Sequence, residues 1–111
     1  MKFPPIIKLN YPTLANLCQI YRVEKLFVFG SIVNGKFDLQ TSDIDLMVEL
    51  EPMPPLEKGR ILLDFWTDLE NLFGRKVDLL TDQPIKNPFL KQSIEQTKQL
   101  VYERESQKTF V

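Results

Sequence analysis

The chain has 111 residues, of which 43% are apolar and 26% are charged, as in ordinary globular proteins. Its 14 basic and 15 acidic residues leave a formal net charge of −1, so we expect neither direct nucleic-acid binding nor attraction to an anionic membrane. The absence of histidine excludes the commonest general base and the commonest zinc ligand, and a single cysteine excludes a disulfide framework.

The chain length predicts one domain, residues 1–111, with one core. Prolines and Lys8 interrupt the N-terminal segment MKFPPIIKLNYP, which argues against a signal peptide. No apolar run approaches the roughly 18 to 20 residues of a membrane span. We therefore expect a cytoplasmic protein.

The first predicted elements are a helix and a strand. In TLANLCQIY the apolar residues recur at helical spacing: Leu14, Leu17, Cys18 and Tyr21. Thr13 is the expected N-cap, and the apolar neighbours of Cys18 favour a core residue over a reactive thiol. The segment EKLFVF then predicts a short apolar strand that ends at Gly30.

A second strand is predicted in DIDLMVEL because its residues alternate in polarity. One face of this strand is apolar and consists of Ile44, Leu46, Val48 and Leu50. The opposite face consists of Asp43, Asp45, Met47 and Glu49.

The second half of the chain continues with a helix, a strand, a helix and a strand. An apolar stripe predicts a helix from Leu56 to Phe73, with Gly74 as its C-terminal cap. Trp66 lies beside the stripe and is expected only to pack. KVDLLT predicts a strand, NPFLKQSIEQTK a helix capped by its asparagine, and QLVYE a last short strand. The order predicts a small sheet domain of the α/β or α+β class with its helices on one side.

The two aspartates of DIDLMVEL are the first sign of chemistry. Side chains at alternate strand positions point to the same face about 6.6 Å apart, so Asp43 and Asp45 can converge on one cation. Mg²⁺ prefers such oxygen ligands and often binds through one or two carboxylates plus substrate phosphates. The alternative is that both acids form the wet face of an edge strand.

Two further features strengthen the metal interpretation. The turn at Gly30 and Ser31 allows close approach of a ligand, and a short helix starting at Ser31 would favour a phosphate. Asp78 lies within the apolar strand KVDLL, although a surface position on an edge strand would also explain it. Three carboxylates facing a phosphate-binding turn make a two-metal phosphoryl-transfer site.

Other motifs fit less well. An EF-hand loop starting at Asp43 would need glycine where Val48 stands. No histidine is available to activate Ser31 as a nucleophile. The segment GSIVNG lacks the spacing and the lysine of a P-loop.

The segment GSIVNGKFDLQTSDIDLMVEL resembles the Gly-Ser…Asp-x-Asp signature of the DNA polymerase β-type nucleotidyltransferase superfamily. With LCQIYRVEKLFVFGS, KVDLLT and NPFLKQSIEQTKQLVYE, the chain is similar to its minimal nucleotidyltransferases. This resemblance implies a small mixed β-sheet of the nucleotidyltransferase fold, flanked by helices. It also implies that Gly30 and Ser31 hold the phosphates of ATP, and that Asp43, Asp45 and Asp78 are catalytic residues that bind Mg²⁺.

The resemblance further implies a partner. Minimal members of the superfamily are often antitoxins of HEPN-domain ribonuclease toxins and inactivate the toxin by transferring AMP to a tyrosine. A homodimer and a hetero-oligomer with the toxin are both open. Many relatives have an arginine in the turn, whereas SIVNGK has only Lys36, which can compensate as a point charge at the nucleotide.

Two alternative functions stay open from the sequence. The missing arginine favours an antitoxin that neutralises its toxin by binding alone. An adenylyltransferase acting on a small molecule is the other alternative, against which the lack of a second, acceptor-binding domain argues.

Overall fold

The computed structural model describes residues 3–34, 42–81 and 83–104. The elements, in chain order, are α1 (Pro5–Leu9), α2 (Tyr11–Ile20), β1 (Val23–Phe29), α3 (Ser31–Asn34), β2 (Ile44–Leu50), α4 (Pro55–Phe73), β3 (Val77–Thr81), α5 (Pro88–Thr97) and β4 (Gln99–Glu103). Among the helices of these ranges, none combines the length and the apolar character needed to cross a membrane.

The four strands form one mixed sheet in the order β3-β2-β1-β4. Strand β1 pairs antiparallel with both β2 and β4, whereas β2 and β3 are parallel and are joined through α4. A parallel pair needs such a long crossover because the chain must return to the same end of the sheet. The predicted mixed α/β sheet flanked by helices is confirmed.

One face of the sheet forms the main core. The apolar side chains of β2 on this face, Ile44, Leu46 and Val48, are almost fully buried. They share the core with Leu14 and Cys18 of α2 and with Phe65, Leu69 and Phe73 of α4. The apolar periodicities seen in the sequence therefore identify the surfaces that pack together.

The opposite face of the sheet is covered in part by α5. Ile94 of this helix packs with Phe29 of β1 and Met47 of β2 in a second, smaller cluster. Met47 is only 7% exposed although it alternates with Asp45 and Glu49. The expectation that all helices lie on one side is therefore wrong, because Phe29 and Met47 leave an apolar area on the acidic face that a helix covers.

Local chain signals set most element ends. Gly74 ends α4 with φ 65° in the left-handed region, as its predicted capping role requires. Asn87 caps α5 by accepting hydrogen bonds from the backbone N–H groups of Phe89 and Leu90. Thr13 is not an N-cap, because α2 already begins at Tyr11 with proline in its first turn.

Candidate active site

Asp45 and Asp78 lie side by side on neighbouring strands. They are register partners in the parallel β2–β3 pair, so both side chains leave the same face of the sheet. Strand β2 is internal, which rules out the interpretation of Asp45 as part of an edge strand's wet face. Strand β3 is an edge strand, and Asp78 is exposed.

The Asp45 carboxyl group is in an environment that disfavours its charge. Burial, followed by the charge of Asp78, a hydrogen bond with Asp78 and the charge of Asp43, raises the pKa of Asp45 from 3.8 to about 6. Such a rise in pKa is expected for a partly buried carboxyl group beside other carboxyl groups, because burial first and repulsion second disfavour its charged form. The site therefore concentrates negative charge that a bound cation would relieve.

Asp43 lies just before β2 and contributes to this charge from the side. Its Oδ2 atom is 4.0 Å from the Nζ atom of Lys76, and the residue is half-buried. The neighbouring Arg75 donates a hydrogen bond from Nη1 to the carbonyl oxygen of Ser42, at 3.3 Å. The basic residues after α4 thus contact the segment through which the chain enters β2.

The turn that follows β1 lies directly against Asp45. Gly30 has φ 78°, and a Cβ atom added there would lie 2.6 Å from Oδ2 of Asp45. Only glycine fits this conformation and this distance without displacement. Ser31 begins α3 next to it and is half-buried.

One open cavity of about 330 Å³ joins the turn to the acidic pair. Gly30, Asp45 and Asp78 line it together with apolar side chains of β1, β3, α4 and α5, namely Phe29, Leu79, Leu80, Trp66 and Leu90, and with Ser93. The cavity is therefore lined by two carboxyl groups and by several apolar side chains. Lys36, the predicted nucleotide contact, lies outside the described residues.

Helix α4 positions the edge strand that carries Asp78. The Nε1–H of Trp66 donates to the carbonyl oxygen of Val77 at 2.7 Å, and the N–H of Val77 donates to Oε2 of Glu70 at 3.0 Å. The backbone N–H and C=O groups of Val77 are thus both hydrogen-bonded by side chains of α4, from Trp66 and Glu70, which lie one helical turn apart. Trp66 therefore does more than the packing expected of it, and no local sequence pattern indicates this contact.

The fit of Mg²⁺ can be judged from these side chains. Asp45 and Asp78 offer adjacent oxygen donors, and Mg²⁺ commonly takes one or two protein carboxylates and completes its shell with substrate phosphates and water. Within residues 3–34, 42–81 and 83–104, however, no three acidic, cysteine or histidine side chains converge closely enough to hold a metal ion. The pair therefore fits Mg²⁺, while Asp43 stays a predicted third ligand.

Comparison with known sequences identifies relatives of this chain. Residues 13–101 match the sequence model of the nucleotidyltransferase domain. A protein of Methanocaldococcus jannaschii named "Putative protein adenylyltransferase" is 38% identical over 78 residues, which cover 68% of this chain and 74% of the relative.

Comparison with solved structures identifies the same fold. A chain in the crystal structure of a toxin-antitoxin with AMP-PNP superposes with a TM-score of 0.60 at 17% identity, covering 90% of this chain and 77% of that one. A chain in the complex of the tri-AMPylated Shewanella oneidensis HEPN toxin with MNT antitoxin gives a TM-score of 0.52 at 17% identity, covering 87% and 72%. At these identities the likeness shows the fold alone.

Proposed function

This chain belongs to the nucleotidyltransferase domain family and is related to proteins named protein adenylyltransferases, and from that premise we propose its reaction and its target. It transfers AMP from ATP, with Mg²⁺, to a hydroxyl group, that of a tyrosine, on a partner HEPN ribonuclease toxin. The transfer inactivates the toxin, so the protein acts as its antitoxin.

One observation carries the proposed chemistry: the adjacent carboxyl groups of Asp45 and Asp78 share a cavity with the Gly30 turn. Phosphoryl transfer needs a phosphate held in line with its attacking group and a means of neutralising negative charge. In this proposal the Gly30 turn holds the phosphate, and the acidic pair binds the cation that neutralises the negative charge. The crowding of charge at Asp45 supports the binding of a cation there.

Each predicted residue has a part in this proposal. Gly30 and Ser31 hold the phosphates of ATP, with Lys36 as an added point charge, and Asp43, Asp45 and Asp78 are Mg²⁺ ligands. Bound Mg²⁺ would stabilise the charge that develops on the transferring phosphate. Asp78, which is exposed and lies beside Asp45, accepts the proton of the attacking hydroxyl. The hydroxyl oxygen bonds to the α-phosphorus as the bond to the pyrophosphate oxygen breaks.

The shape of the cavity supports an acceptor carried by another protein. Leu90 of α5 is 36% exposed where it lines the cavity, and the neighbouring Phe89 is 82% exposed. An apolar rim beside an open acidic site suits an aromatic side chain presented by a partner. The HEPN toxin seen AMPylated with MNT antitoxin in a related fold supports the same target.

A labelling experiment tests the proposal. The protein is mixed with α-labelled ATP, Mg²⁺ and a co-encoded HEPN-domain protein, and the incorporated label is measured for wild type and Asp45→Asn. Glu49→Gln is the matched control, because Glu49 lies on the same face of β2 but outside the cavity of Asp45. We expect label on the partner with wild type and with Glu49→Gln, and at least about a hundredfold less with Asp45→Asn.

The other outcomes identify the alternative functions. Binding of the partner without label, and unchanged by Asp45→Asn, would support an antitoxin that acts by binding. Transfer to a small hydroxyl compound, with no label on the partner, would support the small-molecule enzyme. Either result would contradict the proposed target.

A further inference from the structure

A hydrogen bond ties the turn of the candidate site to the end of helix α5. The backbone N–H of Gly30 donates to Oγ1 of Thr97 at 2.8 Å, across 67 positions of the chain. The hydroxyl of Thr97 in turn donates to the carbonyl oxygen of Ser93 at 2.7 Å. The threonine hydroxyl is therefore engaged both as acceptor and as donor.

Thr97 is held firmly enough to act as an anchor. It is the last residue of α5, and β4 begins two residues later with Gln99, which pairs with Val28 of β1. The backbone N–H of Lys98 closes the helix on the carbonyl oxygen of Ile94 at 2.7 Å. Because Ile94 belongs to the apolar cluster with Phe29, this end of α5 is fixed to the sheet beside the turn.

The turn itself tolerates little displacement. Gly30 is in the left-handed region at φ 78°, and Oδ2 of Asp45 lies only 2.6 Å from the position that a Cβ atom would take there. A shift of Gly30 of even a few tenths of an ångström therefore changes its contact with Asp45. The Gly30 N–H is also already satisfied, so a ligand would have to displace Thr97 to use it.

We propose that Thr97 is a positioning residue of the nucleotide site: its hydroxyl holds the Gly30 turn against Asp45 before a nucleotide binds. This inference rests on the proposed function, since it assumes that the turn binds ATP. The opposite arrangement, in which Thr97 competes with a phosphate for the Gly30 N–H, predicts tighter ATP binding once the hydroxyl is removed. The two arrangements are therefore distinguished by the sign of one measurement.

Two substitutions at Thr97 and one control isolate this hydroxyl. Thr97→Val keeps the side-chain shape and removes the hydrogen bond, whereas Thr97→Ser keeps the hydroxyl. Thr67→Val is the matched control, because Thr67 makes the same kind of bond within α4, to the carbonyl oxygen of Leu63 at 3.0 Å, and does not line the cavity. Trp66, the single tryptophan, lines the cavity, so we expect its fluorescence to change when ATP binds.

We expect Thr97→Val to weaken binding of Mg²⁺-ATP about tenfold, which corresponds to the loss of one partly buried hydrogen bond, and to raise KM for ATP more than it lowers kcat. Thr97→Ser and Thr67→Val should bind within about twofold of wild type. In the protein without nucleotide, the amide proton of Gly30 should exchange with solvent faster in Thr97→Val and at the wild-type rate in Thr97→Ser.

The outcomes separate this inference from the proposed function. If wild type binds ATP and Thr97→Val binds it equally well or more tightly, the positioning role is wrong and the nucleotide site stands. If wild type binds no ATP, the proposed function fails and the positioning role fails with it. An unchanged exchange rate for Gly30 in Thr97→Val would also overturn the inference, whatever the affinity.

Discussion

Replacing Asp45 by asparagine should stabilise the folded protein at neutral pH while it removes the proposed activity. The rise in the Asp45 pKa from 3.8 to about 6 means that folding disfavours the charged carboxylate. That rise corresponds to about 3 kcal/mol in the free energy of unfolding. Because the residue is half-buried and water screens its charge, we expect about 1–2 kcal/mol in practice.

The sign of the pH dependence follows from the same shift. The folded state binds more protons than the unfolded state between pH values near 3.8 and 6, so this group lowers the stability of the wild type as pH rises through that window. Above this pH window Asp45 destabilises the folded state by its full amount, and below the window Asp45 does not change the stability. Asparagine carries no charge, so the advantage of Asp45→Asn should appear only as the pH rises through this range.

Urea unfolding without divalent cations measures this difference. The unfolding curves are recorded by tryptophan fluorescence at about pH 7.5 and at about pH 4. They compare wild type with Asp45→Asn and with the control Glu49→Gln. We expect Asp45→Asn to be more stable than wild type by about 1–2 kcal/mol at the higher pH and by close to zero at the lower pH. Glu49→Gln should stay within about 0.5 kcal/mol of wild type at about pH 7.5.

A loss of stability in Asp45→Asn at the higher pH, or a gain that does not depend on pH, would show that the fold does not disfavour the charged carboxylate of Asp45. Mg²⁺ provides a second check on the same variants. A cation that binds only the folded state stabilises it by an amount that grows with the logarithm of the cation concentration once that concentration exceeds Kd, so Mg²⁺ should raise the stability of wild type and leave that of Asp45→Asn unchanged.

Three further predictions concern the surroundings of the site and the core. Gly30→Ala should destabilise the fold by about 1–3 kcal/mol in urea unfolding, because alanine is strained at φ 78° and its Cβ would meet Asp45; wild-type stability would contradict this. Trp66→Phe should cost about 1–2 kcal/mol in thermal or urea unfolding, followed by circular dichroism, since the carbonyl oxygen of Val77 loses its donor; no cost would mean that water replaces the indole. Cys18, which is fully buried and whose pKa burial raises to about 12, should react with a disulfide reagent about a hundredfold more slowly in the native protein than in urea; equal rates would show that the core opens readily.

Local sequence patterns were sufficient to predict most of the elements. The alternation in β2, the glycine that ends α4 and the asparagine that caps α5 act within a few residues, and the structure confirms each of them. Helix α1 has no clear signal in the sequence, because it is only five residues long, begins at a proline and has no side-chain cap. The acidic pair could be proposed from sequence because aspartate within an apolar strand is unfavourable without a chemical reason.

The polarity of each strand face and the residue types available for chemistry follow from the sequence alone. Which of these residues lie in contact depends on how the chain folds in three dimensions. The register of β2 and β3 places Asp45 beside Asp78, and the path of α5 brings Thr97 to Gly30. Such contacts join residues tens of positions apart, and their geometry depends on how whole helices and strands pack, which no short segment encodes.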